Sequence, residues 1–151
     1  MRFNALAILI VLVGLATQWE RILPLLEFET TPTDFFKSGE CKKKKLCGVV
    51  YLSPRSQATN DILPELQKYL GRAKVHPDYG VQVVVGRGRT PEENIAKAEM
   101  VGAGVIADND DIIGMEYAIV EPPSFFVIDA LNGTKLVGKP AWGWFKASFG
   151  P

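Results

Sequence analysis

The chain has 151 residues, with 17 basic and 17 acidic side chains, and its first thirty or so residues differ in character from the rest. The remainder has the size of one compact domain. The balanced charge creates no field that would gather nucleic acid, which is excluded as a partner, and an apolar content of 47% argues against a disordered or fibrous chain.

The N-terminal stretch "MRFNALAILIVLVGLATQWERILPLLEF" sets Arg2 ahead of an uncharged run from Phe3 to Trp19, after which come Glu20 and Arg21. Its dense apolar part, Ala5 to Ala16, fits a signal-peptide core of about 7 to 15 residues and is short of the roughly 20 needed to span a bilayer. The run continues weakly through Ile22 to Leu26, and Trp19 suits a membrane interface, so an uncleaved anchor is an equally good reading. Residues 1–27 are therefore assigned to a hydrophobic helix serving as signal anchor or signal peptide. Either reading puts the body outside the cytoplasm. It is held at the periplasmic or extracellular face by the anchor, or secreted after cleavage.

Residues 28–46 mix turn formers and charges without sustained periodicity and read as a linker, with the domain proper occupying 47–151. "CGVVYLS" is rich in β-branched and aromatic residues without alternation, as in a strand buried on both faces. After it Ala58, Ile62, Leu63, Leu66, Tyr69 and Leu70 recur at helical spacing, with Pro64 inside the helix and Gly71 as an expected stop. "GVQVVVG" is a second strand. A second helix opens with Thr90 as N-cap, Pro91 at the first helical position and Glu93 closing a capping box. "AGVIADND" predicts a short third strand, "IIGMEYAI" a helical turn, and "SFFVID" a fourth strand that forms a hairpin with "ALNGTKLVG" through Asn132 and Gly133. No long final helix is evident in the tail that carries Trp142, Trp144, Phe145 and Phe149, and those rings are expected either to cover the sheet or to form an exposed patch.

These residues resemble the thioredoxin fold, and within it the bacterial envelope branch of membrane-anchored thioredoxin-like reductases and the methylamine-utilisation maturation thioredoxin. The resemblance runs from about Cys47 to Gly138. Tyr51, Leu52, Ser53 and Pro54 match the end of the family's strand, Pro64 matches its helix proline, and Pro123 matches its cis proline. It implies an α/β domain with a central mixed sheet flanked by helices. It also places Ser56 and Thr59 at the two CxxC positions, so that both cysteines are replaced. Oxygen cannot replace sulfur in thiol–disulfide exchange. At two further positions where the resemblance implies acids, the chain has Val50 and Ile62. Ser56 is accordingly read as a helix cap, and no residue is assigned a catalytic role. Pro122, preceding Pro123, has no N–H with which to hold an extended client.

Two sulfurs remain, in "CKKKKLC". Cys41 and Cys47 are far enough apart to close a small loop, and three readings stay open: a structural disulfide, a redox pair moved away from the helix and activated by the lysines, or free thiols. "GRGRT" lacks a complete dinucleotide or phosphate-loop pattern and reads as a turn with two solvated arginines. Asn132 to Thr134 satisfies a glycosylation sequon that the hairpin turn explains equally well. No cofactor and no metal are expected, and the expected partner is another envelope protein. The leading expectation is a redox-inactive binding or assembly-support module with a degenerate active site. The alternative is an envelope thiol–disulfide oxidoreductase that uses Cys41 and Cys47 or borrows cysteines from a partner.

Overall fold

The structure is a computed structural model and describes residues 34–151, so the anchor or signal assigned to 1–27 lies outside the described residues. Five strands form one sheet: β1 (Leu46–Leu52), β2 (Tyr79–Gly86), β3 (Ile106–Asp108), β4 (Ser124–Asp129) and β5 (Gly133–Val137). The order across the sheet is β3-β2-β1-β4-β5. β1 runs parallel to β2 and antiparallel to β4, which makes the sheet mixed. The helices are α1 (Gln57–Val75), α2 (Pro91–Val101), α3 (Ile112–Glu116) and α4 (Lys139–Phe149), and a 3-10 turn occupies Gly39–Cys41. Among the described residues no helix is long and apolar enough to cross a membrane.

Successive residues of a strand face opposite sides, and each side of this sheet has its own core. Val50, Leu52, Val81, Val83 and Val85 face Leu66, Tyr69 and Ala73 of α1, Ala98 and Val101 of α2, and Phe145 and Phe149 of α4. On the reverse, Val49, Tyr51, Val84, Phe126 and Ile128 pack with Phe35, Cys41, Cys47, Ile113 and Ile119. Phe35 and Cys41, both from the stretch read as linker, are thus buried parts of the body.

Two local expectations fail for tertiary reasons. Gly71 does not stop α1, which continues to Val75 because Tyr69 and Ala73 on either side of it are anchored in the core. The tail does form a helix. Ala141, Phe145 and Phe149, spaced by four, are all buried, and Phe145 fills the place where a side chain on Gly48 would stand, 2.5 Å from its Cβ position. Trp142 and Trp144 are half-buried against Tyr69 and Tyr79, so the aromatic tail covers the sheet.

Candidate functional site

The two ends of β1 carry different chemistry. At its C-terminal end Ser56 caps α1: its Oγ accepts the Thr59 N–H (3.3 Å) and donates to the Pro122 carbonyl (2.8 Å). Both partners are backbone groups, and neither can take the hydroxyl proton. Thr59 is fully buried, its Oγ1 accepting the Ser53 N–H at 3.2 Å. The Pro122–Pro123 peptide bond is cis. Pro122 lacks an N–H, and its carbonyl already accepts one hydrogen bond, from Ser56. Val50 is buried in the core and Ile62 packs against it.

Beside this end lies a polar cluster that was not among the expected site residues. The buried Tyr51 hydroxyl is within hydrogen-bond reach of Asp108 (3.1 Å) and Asp111 (3.0 Å), and Arg87 Nε donates to Asp111 at 3.0 Å. Arg87 also donates to the Ile119 carbonyl (2.6 Å), which corrects the expectation of a freely solvated side chain. Asp108 accepts the N–H groups of Ile113 (3.2 Å) and Gly114 (2.9 Å) and so fixes the start of α3. Burial, reinforced by the neighbouring carboxylates, pushes the Tyr51 phenol far above its ordinary range, so it stays protonated. The available signal was Gly86: a Cβ there would stand 2.0 Å from the Tyr51 hydroxyl, so the first glycine of "GRGRT" makes room for a tyrosine.

At the other end of β1, Cys41 and Cys47 form a disulfide, with Cα atoms 5.5 Å apart. The 3-10 turn carries Cys41 over Gly80 of β2, which faces Cys47 across the sheet. The approach needs glycine, because a Cβ on residue 80 would lie 2.6 Å from the Glu40 carbonyl and 3.1 Å from Cys41 Sγ. The disulfide is one of the three readings left open for this pair, and it overturns the expectation of a thioredoxin-like chain whose redox cysteines are both replaced, and with it the redox-inactive module and the degenerate site. The chain's only two cysteines are joined, and the pair lies outside any CxxC spacing. From Cys47 to Leu52 is about 16 Å along the strand at roughly 3.3 Å per residue, so the bridge and Ser56 are not brought together.

The loop across the bridge is basic and is tied on both sides, to the turn before β2 and, through the Lys45 carbonyl, which accepts the Ala130 N–H at 3.1 Å, to the end of β4. Lys44 Nζ donates to the His76 carbonyl, and Lys45 Nζ pairs with Asp78 at 2.9 Å. The backbone amides of Lys45 and Leu46 both donate to the Asp78 carbonyl, at 2.8 and 3.3 Å. Lys43 has a φ of 63°, a left-handed conformation costly for a side-chain-bearing residue. Among the described residues no group of acidic, histidine or cysteine side chains is placed to hold a metal.

No family model matches the chain, and no curated protein is similar to it. Solved structures are. A thiol:disulfide interchange protein from Bacteroides aligns at a TM-score of 0.54 and 16% identity, over 70% of this chain and 71% of its own. DsbF of Mycobacterium tuberculosis aligns at 0.54 and 11% identity, over 70% and 81% of the two chains. The exposed lipoprotein thioredoxin Etrx1 of Streptococcus pneumoniae aligns at 0.53 and 18% identity, over 70% and 86%. The fold is thioredoxin-like. At these identities the likeness extends to the fold and carries no residue roles across, so the chemistry rests on the geometry above.

Proposed function

We propose that the chain is a thiol–disulfide oxidoreductase acting outside the cytoplasm, with Cys41 and Cys47 as its redox pair and a dithiol on another envelope protein as its client. The observation that carries this reading is the disulfide itself, closed by a four-lysine loop at the start of the central strand of a thioredoxin-like sheet. Disulfides persist in oxidising compartments, which supports export. The names of the structural neighbours, an interchange protein and an exposed lipoprotein thioredoxin among them, agree with it.

Cys47 is held in β1 between two partner strands, whereas Cys41 sits on a short turn ahead of the sheet. Both sulfurs are buried, so exchange begins when the turn and lysine loop lift. A client thiolate then attacks Cys41 sulfur, the S–S bond breaks, and its electron pair leaves on Cys47, which takes a proton. The second client thiolate attacks the client sulfur of the mixed disulfide and releases Cys41, which takes another. Two electrons and two protons pass from client to protein. The lysines favour each departing thiolate.

The test is the reduction potential of the bridge, together with oxidation of a reduced model protein. A working pair requires a potential above about −300 mV and client oxidation lost on replacing either cysteine; a potential below that value would leave the bridge structural.

A further inference from the structure

We propose that His76 is a positioning residue that latches the Cys41–Cys47 bridge shut while its imidazole is neutral and releases it on protonation, an inference that rests on the reading of that pair as the working one. His76 ends α1 and begins the turn on which the lysine loop leans. Its Nδ1 accepts two backbone N–H bonds, from Asp78 at 3.2 Å and Tyr79 at 3.0 Å. Those donors require a lone pair on Nδ1, so the ring holds its proton on Nε2. The ring stacks on Tyr79 (centroids 4.4 Å, planes 8° apart) and meets Phe149 edge-on at 5.9 Å, which prevents it from rotating away from the turn.

The residues this turn fixes are those that hold the bridge. The His76 carbonyl takes the Lys44 ammonium, and the Asp78 carbonyl takes the amides of Lys45 and Leu46. Tyr79 and Gly80 are the β2 partners of Leu46 and Cys47. A proton on Nδ1 replaces the lone pair with a third N–H facing two others, so both bonds are lost and the 76–79 turn opens under the loop. The charged and titratable groups around the imidazole are Lys44 and Lys45 of the loop, Asp78 and Tyr79 of the turn, and Arg72, which ties α1 to the Phe149 carbonyl. Lys74 lies in the last turn of α1 and Lys146 in that of α4.

The experiment follows reduction of the bridge in the full chain by a water-soluble phosphine from pH 8 to pH 5, each rate normalised to that of a small disulfide at the same pH. The phosphine becomes its oxide with oxygen from water, and the two protons of that water complete the thiols. The wild type is expected to accelerate roughly tenfold between pH 8 and pH 5. His76→Asn keeps an acceptor that does not titrate and should be slow and flat; His76→Phe keeps the stacking without an acceptor and should be fast and flat. Because the chain has a single histidine, its ring resonance can be followed without any variant, and the Asp78 and Tyr79 amides should lose exchange protection as it titrates. A flat wild-type profile, or a His76→Phe protein as slow as the wild type at pH 8, overturns the latch. A latch that titrates in a protein with no client oxidation at any pH would instead overturn the oxidoreductase reading and leave the latch intact.

Discussion

The two ends of β1 solve opposite problems with the same strand. At the C-terminal end, where α1 begins, hydroxyls occupy a closed hydrogen-bond set: Ser56 is tied to Thr59 and Pro122, and Thr59 to Ser53. At the N-terminal end a disulfide lies beside a basic loop whose last residues are tied to the 76–78 turn and to Ala130, while Lys42 and Lys43 are exposed. A reactive group needs a way out of its resting contacts, and the proposed function assigns that way out to the second end, where Lys42 and Lys43 are exposed. A fold's usual site is an address and not a guarantee; in this chain the sulfur lies at the other end of the strand, where backbone without a Cβ, at Gly80, lets two cysteines meet.

The largest effect should come from removing the sulfurs. Replacing Cys41 and Cys47 together by Ala should abolish client oxidation, while Ser56→Ala leaves it unchanged. Closing a loop this short stabilises the fold by about 2 kcal/mol in the chain-entropy account, so a lowered denaturation midpoint should accompany the loss. Oxidation surviving the double replacement would reverse the comparison. Gly80→Ala comes next. The new methyl, 2.6 Å from the Glu40 carbonyl, must push the 3-10 turn off β2, costing roughly 1–3 kcal/mol and speeding phosphine reduction of the bridge. A stabilised protein with an unchanged reduction rate would show that the turn does not guard the bridge.

At the other end, Ser56→Ala should cost about 1 kcal/mol through the lost cap and leave the reduction potential of the bridge where it was. Urea denaturation and redox titration on the same samples check both halves. A shifted potential would mean that the two ends communicate along β1.

What the sequence disclosed, and what it hid, follows the reach of the interactions. Thr90 caps α2 by accepting the Glu93 N–H at 3.3 Å, and that signal spans three residues, so it was legible. The Glu93 carboxylate returns to the Arg89 amide, one residue before the cap. The order of strands was legible because buried runs such as "VVYL" and "VVVG" announce themselves. The final helix was not: Gly143 and a run of aromatic residues form a helix poorly in isolation, and what holds α4 is the space above Gly48, some ninety residues earlier in the chain. Arg87 and Tyr51 were equally opaque, since their partners Asp108 and Asp111 lie on a distant turn. The disulfide sat between. The spacing of Cys41 and Cys47 permitted a bridge, but only the 3-10 turn and Gly80 decide for it, and an assumption drawn from the CxxC position concealed its weight.

The smallest effect concerns the surface pair Lys45–Asp78, and it separates the side chains of the tether from its backbone. The hydrogen bond from Lys45 holds the Asp78 carboxyl below its ordinary range, and the same contact raises the Lys45 ammonium above its own. A lowered folded-state value for a carboxyl means that its stabilisation is present above the ordinary carboxylate pKa, near 3.9, and is lost as pH falls through the folded value. The raised lysine contributes below its ordinary value, near 10.4, and loses its contribution as pH rises through the folded one. The pair therefore acts between these limits, and Asp78→Asn removes it while keeping the Asp78 amide and carbonyl that bind His76, Lys45 and Leu46. Both groups are largely exposed, so the melting temperature should fall only slightly at pH 7, less in high salt, and the difference from wild type should vanish in strong acid. Bridge reduction should quicken far less than in His76→Phe. If Asp78→Asn instead released the bridge as fully as His76→Phe, the ion pair and not the imidazole would be what holds the lysine loop, and the basic end of β1 would owe its closure to surface charge.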